Sequence, residues 1–300
     1  MERPREAAVF AHATILHAEP GIGNSGDSRY SKSYMYEGGS ALREFEDPGR
    51  WNKAAEHYER TAHPFTSRFA EAALARVPLT SGSRVLDVAA GTGALALAAA
   101  RTGARILATD FSPGMVDRIA AAGLPNVEAK VMDGQALDLP DAGFDAVFSI
   151  FGVILFPDWR RGLAEMARVT RPGGHGVVAT WQEQGAATFL LLGRIRRTLF
   201  PDREPTAMPE GVKILGDPDV FAREMVAAGY SDPRIEQVVF DYELDVGMLD
   251  EPDTLFGMSA DWVALSEEEK AVVVAEARRM AAGSRILLIP SVALIALAVR

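Results

Sequence analysis

The chain has 300 residues, of which 48% are hydrophobic, enough to bury a sizeable core in one large domain. It carries 31 basic and 41 acidic residues, and the resulting net charge of −10 repels phosphate backbones and argues against nucleic acid as a partner. Because it has no cysteine, it forms no disulfide, catalytic thiolate or cysteine-ligated zinc site, and a reducing cytoplasm is the expected compartment.

The first 45 residues show neither the helical period nor the strand period, and they include two glycine-rich stretches. We interpret 1–45 as a flexible arm in front of a domain at 46–300. The apolar stretch 7–18 lacks the preceding basic region of a signal peptide. The terminal stretch 286–299 is shorter than the roughly 20 residues that cross a bilayer. The sequence therefore predicts no membrane span.

An amphipathic helix is predicted from Trp51, because apolar residues recur there at steps of three and four as far as Ala73. Pro64 lies within this stripe and is expected to kink or restart the helix. The simplest role for most of these side chains is to cover a sheet.

A buried strand, a tight turn and a second helix follow. Val85–Val88 has the aliphatic residues of a strand that is buried on both faces, and Gly91 and Gly93 free the backbone for a sharp turn. The run Ala94–Ala100 consists of strong helix formers. Since the unpaired N–H groups of a helix N-terminus face the turn, a ligand site is expected there.

The alternation of strand and helix continues through the first two thirds of the chain. Further strands are predicted at 105–109, 127–132, 144–150 and 175–181. Connections of this length indicate a parallel sheet with helices on both faces. In such sheets ligands bind beyond the carboxyl ends of the strands, so these tips are expected to share one crevice.

The alternation stops after Trp181. We predict an inserted lid at 182–216 and a second substrate-side insertion at about 245–283. Two more strands, at 234–244 and 292–299, are predicted to pair as an antiparallel edge.

The glycine turn alone fits two classes of ligand. Gly91–Ala96 matches the G-x-G-x-x-A pattern of dinucleotide-binding folds, and Asp110 lies at a plausible distance for a ribose diol. However, Asp87 places a carboxylate where a dinucleotide would have its pyrophosphate. A ligand with a cationic end and an adenosine end suits this tip better.

Five segments in order resemble the motifs of class I S-adenosylmethionine-dependent methyltransferases, nearest to the ubiquinone- and menaquinone-biosynthesis type (methyltransferase type 11). They are Val85–Gly93, Thr109–Met115, Met132–Pro140, Phe144–Ser149 and Arg168–Gly174. The resemblance implies a Rossmann-like α/β fold with a seven-stranded, mostly parallel sheet of order 3-2-1-4-5-7-6, strand 7 antiparallel. It also implies S-adenosylmethionine as cofactor, with S-adenosylhomocysteine as product.

The resemblance assigns cofactor contacts to the strand tips. It implies that Asp87 lies near the methionine amino group, that Asp110 accepts both ribose hydroxyls, and that Asp133 faces the adenine amine. The other cofactor-binding positions it implies are Ala89, Ala90, Gly91, Thr92, Gly93, Phe111, Met115, Gly134, Gln135, Ser149, Ile150 and Phe151. Ala89 departs from the family, where many members have glycine.

The methyl acceptor is predicted to be a small, largely apolar, natural-product or quinone-like molecule that is methylated on oxygen, carbon or nitrogen. The apolar lid residues behind this prediction are Phe189, Leu191, Leu192, Ile195, Phe256, Met258 and Trp262. Arg194, Arg196 and Arg197 are interpreted as a solvated helix face, with contact to a carboxylate of the acceptor as the alternative. No metal site is expected, because paired ligand spacing is missing.

The candidate catalytic residues are Tyr58 and His63, on the helix that in this family folds over the cofactor, with Tyr58 expected near the methyl group. A base is needed only for a phenol, protonated amine or carbon acid. Two other functions stay open: an NAD(P)-dependent oxidoreductase and a non-catalytic protein that binds S-adenosylmethionine. A homodimer also stays open.

Overall fold

The computed structural model describes residues 47–182, 187–204, 208–257 and 259–300. The predicted arm at 1–45 therefore lies outside the described residues, as do Met258 and parts of the predicted lid.

Within the described residues, seven strands form one sheet in the order β3-β2-β1-β4-β5-β7-β6. β7 runs antiparallel to both neighbours and the other pairs are parallel. The strands are β1 Arg84–Val88, β2 Arg105–Asp110, β3 Val127–Val131, β4 Phe144–Ile150, β5 Thr170–Trp181, β6 Ser231–Asp245 and β7 Ile286–Val299. The predicted fold and strand order are confirmed.

Helices connect the strands and pack against the sheet. They are α1 Pro48–Thr61, α2 His63–Leu74, α3 Ala94–Ala100, α4 Pro113–Ala121, α5 Trp159–Val169, α6 Ala187–Leu199, α7 Glu210–Ile214, α8 Pro218–Ala227, α9 Pro252–Phe256, α10 Ala260–Val263 and α11 Glu267–Met280. The predicted stripe from Trp51 is split into α1 and α2 at Ala62, just before Pro64.

Several helices begin where a side chain caps them. Ser112 accepts from the Met115 N–H at the start of α4, and Asp217 accepts from two N–H groups of α8. Ser266 and Glu269 form a capping box at the start of α11. These local signals fix where the connecting helices begin.

The last strand is longer than predicted, since β7 begins at Ile286 and continues through Pro290. Trp181, the last residue of β5, pairs with Ala293, so Pro290 lies beyond the end of β5 and is paired only with β6. The Val292 carbonyl accepts from the Gln182 N–H, so this position and Pro290, two residues before it, direct their backbone groups toward the β5 side. The missing N–H of the proline therefore interrupts no hydrogen bond of the ladder with β6. β5 also begins earlier than predicted, at Thr170.

No helix in the described part of the chain is long and apolar enough to span a bilayer.

Candidate active site

The turn after β1 is built from residues in the left-handed region. Ala89 and Gly91 have φ of 55° and Gly93 has φ of 88°. The Gly93 N–H donates to the Ala90 carbonyl at 2.9 Å. A Cβ on Gly93 would lie 3.0 Å from Ile119, so this position needs glycine for space as well as for its dihedral angle. The turn delivers the chain to α3 at Ala94.

Asp87 lies at the tip of β1 and is 1% exposed. Its Oδ2 accepts from the Ala96 N–H at 3.1 Å, in the first turn of α3. Gly93, the N-cap residue, offers α3 no side-chain cap, so Asp87 satisfies one of its free N–H groups from the neighbouring strand. Burial raises the pKa of Asp87 to about 8, against this hydrogen bond, and the nearby Asp110 carboxylate adds to the rise.

Asp110 ends β2 and is 5% exposed. Its Oδ2 accepts from the Gly91 N–H and its Oδ1 from the Ser112 N–H, both at 2.9 Å. The carboxylate thus ties the glycine turn to the start of α4. Burial raises its pKa to about 6 although backbone hydrogen bonds oppose the shift. Each carboxylate oxygen still has acceptor capacity for a ligand hydroxyl.

The two carboxylates form a buried acidic pair. In the part of the chain that the structure describes, neither forms an ion pair with a basic side chain, and no cation contributes to either pKa shift. Buried carboxylates without a counter-ion favour a ligand that brings positive charge and hydroxyl donors. A pyrophosphate would add negative charge to the same tip.

Helices α1 and α2 lie over the glycine turn. The Tyr58 Cε1 is 3.7 Å from the position that a Cβ on Gly91 would take. His63 Nδ1 is 2.7 Å from the Thr92 hydroxyl oxygen. The structure therefore brings the two candidate catalytic residues to the predicted cofactor-binding turn.

Asn52 fixes α1 at the edge of the crevice, a role that the sequence analysis missed. Its Oδ1 accepts from the Ser112 hydroxyl and from the Gly114 N–H, both at 2.7 Å. Arg118 of α4 also donates to Glu59 of α1 at 3.0 Å. Asn52 interrupts no motif and carries no periodic signal, so only the tertiary arrangement reveals it.

The tip of β3 is more open. Asp133 is exposed, and its Oδ1 accepts from the Gln135 backbone and side chain. Gln135 Oε1 accepts from the Asp158 N–H at 2.9 Å. Gly134 is buried, and a Cβ on it would lie 2.5 Å from the Phe156 ring. This predicted cofactor residue is therefore also a packing position.

Phe111 and Met115 follow Asp110 at the tip of β2. Met115 is buried at 1% exposure, whereas Phe111 stays partly accessible. The predicted positions around an adenine ring thus combine a buried thioether, a partly exposed ring and the exposed Asp133 carboxylate.

Aromatic rings cover the tips of β4 and β5. Phe151 stacks on Trp181 with ring centroids 3.8 Å apart and planes 2° apart, and Phe69 of α2 meets both rings edge to face. Phe69 makes two further edge-to-face contacts, with Phe65 and with Phe240. The sequence does not reveal this cluster, because contacts between distant aromatic residues leave no local pattern.

The tip of β4 holds the other predicted positions. Ser149 is fully buried, and its hydroxyl oxygen accepts from the Val153 N–H at 2.9 Å. Ile150 remains partly accessible. Phe151 has a positive φ of 62°, which is rare for a residue with a large side chain.

The lid arginines are not one solvated face. Arg196 is 6% exposed, pairs with Asp261 and donates to the Glu204 carbonyl at 3.3 Å, whereas Arg197 is exposed. The prediction that Arg196 lies on a solvated helix face is therefore wrong. Leu191, Leu192 and Ile195 are also buried, so α6 is packed into the core of the domain.

Known proteins resemble this domain in sequence and in fold. A model of the methyltransferase domain matches residues 85–174. A demethylmenaquinone methyltransferase of Corynebacterium efficiens is 36% identical over 175 residues, which cover 55% of this chain and 75% of the relative. The similarity between this chain and that relative therefore extends well beyond the glycine turn.

Solved structures share the fold at low identity. The YcgJ protein of Bacillus subtilis has a TM-score of 0.51 at 16% identity, covering 79% of this chain and 98% of that one. A phosphoethanolamine N-methyltransferase of Haemonchus contortus, solved with S-adenosylhomocysteine, has a TM-score of 0.51 at 16% identity. The match covers 85% of this chain and 60% of that one.

Proposed function

The chain belongs to the class I S-adenosylmethionine-dependent methyltransferases of the menaquinone-biosynthesis type, and from that premise we propose that it methylates a small, largely apolar, quinone-like acceptor. Its cofactor is S-adenosylmethionine. The buried Asp87 and Asp110 pair carries the proposal, because its two uncompensated carboxylates match the charge and the hydroxyl groups of this cofactor.

The residues of the crevice suit the parts of the cofactor. Asp87 would bind the methionine ammonium group, Asp110 the ribose hydroxyls, and Phe111 with Met115 the adenine ring. Gln135 would lie beside Asp133 near the adenine amine. The remaining contacts would come from Ala89, Ala90, Gly91, Thr92, Gly93, Gly134, Ser149, Ile150 and Phe151.

The cofactor supplies a methyl group on a sulfonium, which reacts by in-line displacement. The protein has to align the acceptor and exclude water. The stacked rings of Phe151 and Trp181, with Phe69 across them, give the crevice an apolar wall on the side of β4 and β5. Such a wall favours a planar apolar acceptor over a charged one.

Relatives named demethylmenaquinone methyltransferase agree with a quinone-like acceptor. In this half of the domain, α6 and α9 pack apolar residues such as Leu191 and Phe256 into the core. The acceptor atom can be oxygen, carbon or nitrogen.

His63 and Tyr58 have different capacities for proton transfer. Burial lowers the pKa of His63, so its imidazole is neutral at pH 7 and can accept a proton. Burial also raises the pKa of Tyr58 to about 12, with a further rise from Asp110. Tyr58 therefore stays a neutral phenol that can donate a hydrogen bond. We assign the base to His63 and acceptor positioning to Tyr58.

Calorimetry with S-adenosylmethionine and NADH, side by side, tests the class of ligand. We expect heat from S-adenosylmethionine only, and then release of S-adenosylhomocysteine with a quinol acceptor. Binding of NADH instead would support an oxidoreductase. Tight binding of S-adenosylmethionine without product from any quinol, phenol or amine would indicate a non-catalytic member.

Replacing His63 with glutamine is expected to lower kcat by about 100-fold, the lower end of the range for loss of a general base. The Kd for S-adenosylmethionine should change little. His57→Gln is the matched control, because His57, on α1, also has a pKa lowered by burial but contacts Thr61 instead of the glycine turn. Equal activity of the two variants would remove His63 from the mechanism.

A further inference from the structure

Gly152, just after β4, comes unusually close to the glycine turn. A Cβ on Gly152 would lie 2.5 Å from the Ala89 Cβ and 2.9 Å from the Ala89 carbonyl oxygen. Real Cβ atoms essentially never approach other atoms within 3.0 Å. The methyl group of Ala89 therefore occupies the space that a side chain at 152 would need.

The contact joins two strained segments. Ala89 has φ of 55° and Phe151 has φ of 62°, and neither is glycine. Such residues cost of order 1–3 kcal/mol each and persist only where the surroundings hold them. The stacking on Trp181 and the hydrogen bond from the Phe151 N–H to the Ala179 carbonyl, at 3.1 Å, hold the second.

No flexible side chain can yield at this contact. The Ser149 hydroxyl oxygen lies 3.1 Å from the same Cβ position, and it is fixed by its hydrogen bond from Val153. The Ala89 methyl has no rotamer to change. Any side chain at 152 must move the backbone of the glycine turn or of the β4 tip.

We propose that Gly152 is a positioning residue for the cofactor, which sets the distance between the glycine turn and the tip of β4. The inference rests on the proposed function, since these two segments flank the methionine part of the cofactor there. It also explains how the glycine turn accommodates a residue with a Cβ at position 89: the glycine at 152 provides the space.

The test is the Kd for S-adenosylmethionine, measured by calorimetry on the full chain. Gly152→Ala should raise it about tenfold or more, as overpacking of a tight contact predicts. The double variant Ala89→Gly/Gly152→Ala should recover most of the loss, because the nearest clash is removed. The KM for the acceptor should move less than the Kd.

Gly174→Ala is the matched control. A Cβ at 174 would lie 2.9 Å from two carbonyl oxygens, next to Asp145 at the opposite end of the sheet. Gly174→Ala should lower Tm and leave the Kd unchanged. If Gly152→Ala fails to fold, Ala89→Ser tests the same contact from the other side and should also raise the Kd.

Three results decide the matter. A folded Gly152→Ala or Ala89→Ser protein that binds S-adenosylmethionine as tightly as the wild type overturns the inference, as does a double variant without recovery. Failure of the wild-type chain to bind S-adenosylmethionine overturns the proposed function itself, and is seen before any variant is made.

Discussion

Asp110→Asn is expected to weaken S-adenosylmethionine binding by about 100-fold. In our proposal Asp110 accepts two ribose hydroxyl groups, and a hydrogen bond to a charged group contributes about 1.5–3 kcal/mol. Asparagine keeps one acceptor oxygen for the N–H of either Gly91 or Ser112, but its NH2 group cannot accept from the other N–H, which in the wild type binds the second carboxylate oxygen. Calorimetry gives the Kd directly.

Asp145→Asn is the control for the loss of a carboxylate that accepts from backbone. Asp145 accepts from the Arg84 N–H at 2.7 Å and from the Arg171 side chain, at the amino end of β1. Its loss should lower Tm without changing the Kd. If the two variants bind the cofactor equally well, Asp110 does not bind the ribose.

Much of the crevice could be predicted because its parts are local. The strand tips at Asp87 and Asp110 follow from short buried strands, and the helix starts at Ser112 and Asp217 follow from capping chemistry. The order of the strands came only from the resemblance of the five motifs. No periodicity within one strand says which strand lies beside it.

What could not be predicted depends on contacts between distant segments. Asp87 caps α3 through Ala96, and Asn52 fixes α1 on Ser112, but neither partner is visible in the pattern around these residues. In the sequence Arg196 looks like part of a solvated cluster, and only the fold brings its partner Asp261 beside it. Pro290 would interrupt the sheet only if β5 continued alongside it, and β5 ends before that position.

Asp87 thus has two roles that oppose each other energetically. As a cap on α3 it needs only an acceptor oxygen, which the protonated acid also provides. As the proposed partner of an ammonium group it must be ionised. The raised pKa of Asp87 links these roles, because the proton that stabilises the free protein has to leave when the ligand binds.

Binding of S-adenosylmethionine at pH 6.5 is therefore expected to release about one proton. The pKa of Asp87 is about 8 in the free protein, so the group is mostly protonated at this pH and ionises on binding. Affinity should rise between pH 5.5 and 7.5, by up to about tenfold per unit. Titrations in buffers with different heats of ionisation count the protons. Above this range the amino group of the ligand itself begins to lose its proton.

Asp87→Asn keeps the acceptor oxygen for the Ala96 N–H, but it should abolish the proton release and weaken the binding of S-adenosylmethionine. His63→Gln should leave the proton release intact.

The stability of the free protein gives an independent check. The folded pKa of about 8 lies above the ordinary value of 3.8, so this group stabilises the fold at low pH and loses that contribution as pH rises from about 4 to about 8. Relative to the wild type, Asp87→Asn should therefore gain Tm between pH 5 and 8. A Tm difference that does not change with pH, together with binding that releases no proton, would show that Asp87 is already ionised in the free protein.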